Sequence, residues 1–263
     1  MAKLSNKVAL ITGASKGIGE GIARVFAQYG ARLALAARSQ KIEELAAELR
    51  KAGAEVLPLP MDVSDPGSVK NGIERVIETY GKIDVLVNNA GVCRLGSFLE
   101  SSDEDRDYHI DINIKGVWNV TKAVLPYMLQ RNYGRIVVMS SVTGDMVADP
   151  GEVAYATTKA ALIGFTKAMA REVAANNITV NAICPGYVLT PMVEGMAKQS
   201  APENPRSVID GIAKAIPLGR LADPLEVGEL AAFLGSDESR YITGTQIVID
   251  GGSTLPETSD MGI

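Results

Sequence analysis

Apolar residues gather in seven short continuous runs, at positions 8–11, 33–37, 56–59, 83–87, 135–139, 179–184 and 246–249. Between them, segments such as 19–29, 42–51 and 69–80 place apolar residues at every third or fourth position, the spacing of one face of a helix. Strands alternating with helices form βαβ units, and right-handed crossovers turn these into a parallel sheet with helices on both faces. Runs that are apolar without alternation agree with this, because a strand covered on both faces has no side left for polar residues. The pattern predicts an α/β fold: one doubly wound, seven-stranded parallel sheet in a single domain over 1–263. One stretch breaks the rhythm. In 190–217 two short helical patterns flank Ser200-Ala201-Pro202-Glu203-Asn204-Pro205, and an insertion of that kind after a strand is expected to form a substrate lid.

Composition narrows the function classes. A net charge of -5 and the lack of any Lys/Arg block leave no basic field for a phosphate backbone, so nucleic acid is not an expected partner. No apolar run approaches the length of a membrane span, and 8–11 is far too short for the core of a secretory signal; a cytoplasmic protein without membrane attachment is expected. Cys93 and Cys184 lack metal-ligand spacing, and the single histidine, His109, cannot supply a His-based centre. No metal is expected. Both cysteines read as small buried apolar residues, and His109, in the helical stretch 105–114, reads as a surface or interface residue.

The first strand runs into Thr12-Gly13-Ala14-Ser15-Lys16-Gly17-Ile18-Gly19, with a helix following at once. Backbone N–H groups at such a helix start bind anions, and glycine is needed where a Cβ would block the turn or the approach of a pyrophosphate. The spacing resembles the Thr-Gly-x-x-x-Gly-x-Gly signature of the short-chain dehydrogenase/reductase family. Further motifs match in order: Asp62-Val63 after the third strand, where the family meets the adenine ring, and Asn88-Asn89-Ala90-Gly91 closing the fourth, which resembles its sheet-stabilising motif beside the cofactor. The resemblance runs from about Val8 to Gly252 and implies a Rossmann-type fold. It implies cofactor contacts from Gly13, Ser15, Lys16, Gly17, Ile18, Gly19, Arg38, Asp62, Val63, Asn89, Ala90 and Gly91. From Cys184-Pro185-Gly186 onward it adds Pro185, Gly186, Val188 and Thr190, the last as the residue that holds the nicotinamide carboxamide.

Tyr155 and Lys159 stand four apart in a stretch of helix formers, so both side chains leave one face. A phenol is a poor base at neutral pH, but a nearby ammonium and a cationic nicotinamide favour phenolate. In the family pattern Ser141 is the catalytic serine, and strand geometry points its neighbour Ser140 to the opposite side. Asn113 matches the asparagine that completes the tetrad and holds a water linking the lysine to solvent. The resemblance thus implies hydride exchange between a nicotinamide cofactor and an alcohol or carbonyl compound, with Tyr155 moving the proton and Lys159 also holding the nicotinamide ribose.

For the cofactor, NADP(H) is expected and NAD(H) possible: at the end of the second strand Ala37 stands where NAD-preferring relatives place an acid, with Arg38 beside it and Lys16 in the glycine turn. Apolar-rich helices over 103–130 and 153–175, with the resemblance, lead to the expectation of a homotetramer. Two other readings stay open: a non-catalytic nucleotide sensor, and a protein that uses its helices only for assembly. Substrate identity is not fixed. The pocket should draw on 92–96, 143–153 and the lid, where Asp145, Asp149 and Glu152 disfavour anions and Arg94 opposes them.

Overall fold

The computed structural model describes residues 3–255; Met1, Ala2 and residues 256–263 of the expected domain span lie outside the described residues. Seven parallel strands form one sheet in the order β3-β2-β1-β4-β5-β6-β7, with β1 at Val8–Thr12, β2 at Arg32–Ala37, β3 at Val56–Pro60, β4 at Val85–Asn88, β5 at Gly134–Met139, β6 at Ile178–Pro185 and β7 at Gln246–Ile249. The direction in which successive strands are added across the sheet reverses between β1 and β4, the place where open α/β sheets leave a crevice at their carboxyl edge.

Strand side chains feed two cores in alternation. Ala9 and Ile11 of β1 pack on one face with Ile22 and Phe26 of α1 (Gly17–Gln28), Leu45 of α2 (Lys41–Lys51) and Val227 of the later helix Pro224–Gly235. Val8 and Leu10 pack on the other, against Ile73 of α3 (Pro66–Tyr80) and Val120 and Leu162 of two long helices described next. This two-sided burial is why the runs are apolar without alternation.

The segment expected as one long helix has three parts: α4 at Asp103–His109, a π-helical turn at Ile110–Lys115 and α5 at Gly116–Arg131. After β5, α6 covers Val153–Val173. The irregular region forms α7 at Pro191–Ser200 and α8 at Pro205–Ala215, each with proline in its first turn and a side-chain cap, from Thr190 and Asn204. The last helix, α9, is Pro224–Gly235, opened by a capping box between Asp223 and Glu226.

Three expectations are corrected. The fourth strand starts at Val85, not at 83, because Asp84 before it is committed elsewhere: its buried carboxylate accepts the Val8 N–H at 2.8 Å and pairs with Lys82 and Arg131, each at 2.8 Å. His109 is not at the surface but 1 % exposed. Its Nε2 accepts the Arg94 N–H at 3.0 Å, so Nδ1 carries the proton and donates to the Asp105 carbonyl at 2.7 Å. Cys184 is buried as expected, but Cys93 is only half-buried.

His109 therefore anchors the loop that leaves β4 to the end of α4. A His109→Leu variant keeps the volume but orphans the Arg94 N–H, and is expected to lose about 1–3 kcal/mol of stability. Thermal denaturation reads the loss, and faster amide exchange at Arg94 locates it; an unchanged midpoint and unchanged exchange would refute the anchor.

Candidate active site

At the carboxyl edge of the sheet lies a cleft of about 1030 Å³. One end is built by the turn from β1 into α1. Gly13 and Gly17 sit at φ +64° and +58°, and a Cβ on Gly13 would stand 2.8 Å from the Ala90 Cα. A Cβ on Gly19 would run into the Gly13 carbonyl oxygen. Lys16 at the N-cap of α1 offers no side-chain cap, so the first N–H groups of the helix face the cleft with no competing side-chain acceptor. The turn is held from β4. Thr12 Oγ1 accepts the N–H groups of Asn89 and Ala90, each at 3.0 Å, and Asn89 Nδ2 donates to the carbonyls of Thr12 at 2.9 Å and Gly13 at 3.2 Å. A cradle with room for no side chain and uncapped N–H groups fits a dinucleotide pyrophosphate.

Gly13, Ser15, Lys16, Gly17, Ile18, Gly19, Arg38, Asp62, Val63, Asn89, Ala90, Gly91, Pro185, Gly186, Val188 and Thr190 all line this one cleft. Ala37 lines it too, at the end of β2. Arg38 is 55 % exposed, reaching Asp62 at 3.7 Å and the Tyr108 hydroxyl at 3.4 Å. Both contacts are long for their kind, so the guanidinium is loosely held.

In the middle stand Ser141, Tyr155 and Lys159. Adjacent serines leave the end of β5 in opposite senses. Ser140 Oγ donates to the Lys159 carbonyl at 2.8 Å and is tied into α6, whereas Ser141 Oγ accepts the Thr143 N–H at 3.1 Å and stands beside the Tyr155 hydroxyl. Lys159 is buried, its Nζ donating to the Met139 carbonyl at 2.8 Å and lying 5.5 Å from the centre of the Tyr155 ring. Asn113 sits in the π-helical turn with its amide fully engaged: Oδ1 accepts the Val92 N–H at 2.9 Å, and Nδ2 donates to the Val92 carbonyl and the Thr158 hydroxyl, each at 3.0 Å. With that side chain occupied, a water beside Lys159 would have to be held by the Asn113 backbone.

The electrostatics set the resting form of the phenol. Burial raises the Tyr155 phenol well above its usual value, opposed by Ser141 and reinforced by Cys93 and Glu152. Burial also lowers Lys159 to about 8. The chain's own groups therefore keep the phenol protonated at neutral pH, and the ammonium alone does not make a phenolate. Cys93, Met192, Met196 and Ile212 line the cleft from segments expected to form the pocket, whereas sequence reasoning missed Tyr108 and Tyr187. Tyr187 was the more accessible of the two, since it directly follows the Pro185-Gly186 pair. Arg94 does not line the cleft. Its guanidinium is taken by Asp105 at 2.7 Å and lies 4.0 Å over the Tyr108 ring. Asp145 is hydrogen-bonded to Gln246, leaving Asp149 and Glu152 as the acidic residues of the substrate end.

A parallel doubly wound sheet with this glycine turn and this Ser, Tyr and Lys grouping defines a nicotinamide-dependent short-chain oxidoreductase. The comparisons agree: the family model described as Enoyl-(Acyl carrier protein) reductase matches residues 13–254. The chain belongs to the short-chain dehydrogenase/reductase family and is an NAD(P)-dependent oxidoreductase. It is 68% identical to Oxidoreductase UcpA of Escherichia coli K12 over 263 residues, all of both chains. It is 43% identical to the 3-oxoacyl-[acyl-carrier-protein] reductase FabG of Thermotoga maritima over 254 residues, 96% of this chain and 100% of that one. Among solved structures, L-sorbose reductase from Gluconobacter frateurii, complexed with NADPH and L-sorbose, superposes with a TM-score of 0.92 at 34% identity, covering 97% of this chain and 100% of that one.

Holding Lys159 in a dry site has an energetic consequence. A lysine lowered from 10.5 to about 8 costs the folded chain about 3 kcal/mol at neutral pH. The penalty is full below pH 8 and is relieved as pH rises from there to 10.5. Lys159→Met removes it but orphans the Met139 carbonyl, returning about 1–3 kcal/mol. The variant is expected to melt no lower than the parent chain at pH 7 without cofactor, while the parent alone gains stability between pH 8 and 10. Thermal denaturation across that range checks both statements.

Proposed function

We propose that the protein reduces a small carbonyl compound with NADPH, and catalyses the reverse oxidation, with Tyr155 as the proton donor and acceptor. The observation that carries this reading is the grouping of Ser141, Tyr155 and Lys159 in the middle of the cleft, with the glycine cradle at one end. When bound, the cofactor supplies or accepts the hydride. Gly13 to Gly19 would hold its pyrophosphate, Asp62 and Val63 its adenine, Lys159 the nicotinamide ribose, and Thr190 the carboxamide.

Tyr155 donates its proton to the substrate oxygen as negative charge develops there, and Ser141 stabilises that charge by hydrogen bonding. A phenol held protonated by its surroundings suits the reducing direction, in which it starts as the acid. Lys159, poised near neutrality at about 8, can return a proton to Tyr155 after each turnover. Residues 190–217 serve as the lid: α7 and α8 bring Met192, Met196 and Ile212 over the substrate end and exclude water there.

The preference for NADPH rests on Ala37, which does not repel a 2′-phosphate, and on Arg38 and Lys16, which can pair with it. Arg38 has only long contacts to give up. We read the assembly as a cytoplasmic homotetramer in a single-domain protomer. Trp118 and Leu129 on α5 and Val153 on α6 are 58 %, 37 % and 48 % exposed, an apolar face suited to a two-fold helix interface. The edge strand β7 with Val248 offers a second face.

Two measurements test the reading. Tyr155→Phe removes only the proton-bearing hydroxyl and should lower kcat by about 10²–10⁴-fold while cofactor affinity holds; turnover near that of the parent would end the assignment. One well-formed charged hydrogen bond to the 2′-phosphate favours NADPH by about tenfold to a hundredfold in kcat/KM. Ala37→Asp combined with Arg38→Leu should invert that ratio by adding repulsion and removing attraction. A parent kcat/KM equal or higher with NADH would show that the two cations do not reach the phosphate.

A further inference from the structure

The acidic residue nearest Tyr155 has no task in the chemistry above. Glu152 is 8 % exposed and lines the substrate end of the cleft, yet its Oε2 has no hydrogen-bond partner among the described residues. A buried polar atom left unpaired costs stability, and a native chain keeps one where something else completes it. Glu152 stands immediately before α6 and three residues before Tyr155. That spacing on a helical turn brings two side chains to one face, about 5–6 Å apart at their Cβ atoms. Both residues line the cleft and the Glu152 charge acts on the Tyr155 phenol, so a group bonded to Glu152 lies close to the carbon whose oxygen would meet Tyr155.

The surroundings narrow the class of partner. Burial and the Asp149 carboxylate raise Glu152 above the usual carboxylate range, opposed by the Thr143 side chain. Asp149 is itself engaged by the Tyr187 hydroxyl at 3.2 Å, and among the described residues no cation is paired with Glu152: Lys159 of the same cleft donates to the Met139 carbonyl, and Arg94 is paired with Asp105 outside the cleft. Two acids without a counter-cation exclude a substrate carboxylate or phosphate at this end. Where burial disfavours the charge, a neutral hydroxyl donor is the partner that satisfies a carboxyl oxygen without demanding full ionisation. The last torsion of a glutamate is soft, so Oε2 can turn toward a ligand.

We propose that Glu152 recognises a hydroxyl on the carbon adjacent to the reacting carbonyl, making α-hydroxy carbonyl compounds and the corresponding vicinal diols the substrate class of this cleft. The inference rests on the oxidoreductase reading above and adds the identity of the group beside the reacting centre. Val147, Met192 and Met196 line the same end and would cover the remaining carbon chain.

Hydroxyacetone and butanone test it, since they differ only by a hydroxyl in place of a methyl. The parent protein should reduce hydroxyacetone with a kcat/KM at least about tenfold higher. Glu152→Leu should bring the two values within about threefold of each other, and Glu152→Gln, whose amide oxygen still accepts, should keep most of the preference. NADPH fluorescence on both variants reads whether the cofactor end is folded, and Glu152→Gln, nearly isosteric, carries the test if the leucine variant does not fold. Equal kcat/KM for the two ketones in the parent protein, or an unchanged ratio in Glu152→Leu, would overturn the inference while leaving the oxidoreductase reading standing. A preference lost in Glu152→Gln would also overturn it, because an acceptor oxygen at that place would then not be what recognises the hydroxyl. Turnover of neither compound, nor of any other carbonyl, with either cofactor would overturn both.

Discussion

The crossing between β1 and β4 is held by one side chain acting in three directions. Thr12 Oγ1 accepts two N–H groups from the end of β4 and donates to the Val87 carbonyl at 3.3 Å. Asn89 answers by bonding back to the carbonyls of Thr12 and Gly13. At this switch point a parallel sheet has no helix covering its carboxyl edge, so the strand ends would splay without a local tie. The tie brings Ala90 so close to Gly13 that no Cβ fits between them. The same hydrogen bonds that close the sheet therefore dictate the glycine, and the glycine leaves the α1 N–H groups open to an anion. Fold and cofactor cradle are one constraint.

A second anchor fixes the chemical groups. The π-helical turn at Ile110–Lys115 presents Asn113 so that its amide clamps both strands of the problem: the loop at Val92 and α6 at Thr158. Ser140 adds a tie from β5 to α6 through the Lys159 carbonyl. Tyr155 and Lys159 thus sit on a helix secured from two sides, as the proposed proton transfer would require. The cost appears in the buried lysine, which is held against its own solvation by a single carbonyl partner. Local π-turns and disfavoured burial gather at functional sites because nothing in the folding requirement alone would retain them.

The strands were legible because burial on both faces writes itself as unbroken apolar runs, and six of the seven expected runs lie within one residue of the observed bounds at each end. The fourth misled by two positions because Ile83 is apolar and buried while its neighbour Asp84 is spent on Val8, Lys82 and Arg131. Residues of the cleft were legible where glycine and motif spacing carry the requirement. The π-turn was not, since an i→i+5 turn inserts one residue without disturbing the apolar stripe enough to be read. His109 was misplaced for a different reason: a polar ring satisfied on both nitrogens by backbone groups is buried as comfortably as a hydrophobe, and one of those partners, the Arg94 N–H, comes from the loop that leaves β4. The charge balance at the cleft mouth depended on the same loop, which takes Arg94 to Asp105 and Tyr108.

That balance gives the cleft a polarity along its length. Lys16, Arg38 and the uncapped start of α1 stand at one end, Asp149 and Glu152 at the other, with Tyr155 and Lys159 between. Low-dielectric walls strengthen each of these fields relative to water. An anionic dinucleotide is drawn to the first end and repelled from the second, so the two ligands of an oxidoreductase are sorted before any shape complementarity acts. The acidic end has a second effect, because Glu152 also disfavours ionisation of Tyr155. On the proposed reading, the charges at the substrate end therefore also keep the phenol in the protonated form with which reduction would begin, and a substitution made there to alter specificity would shift the proton equilibrium of the central tyrosine at the same time.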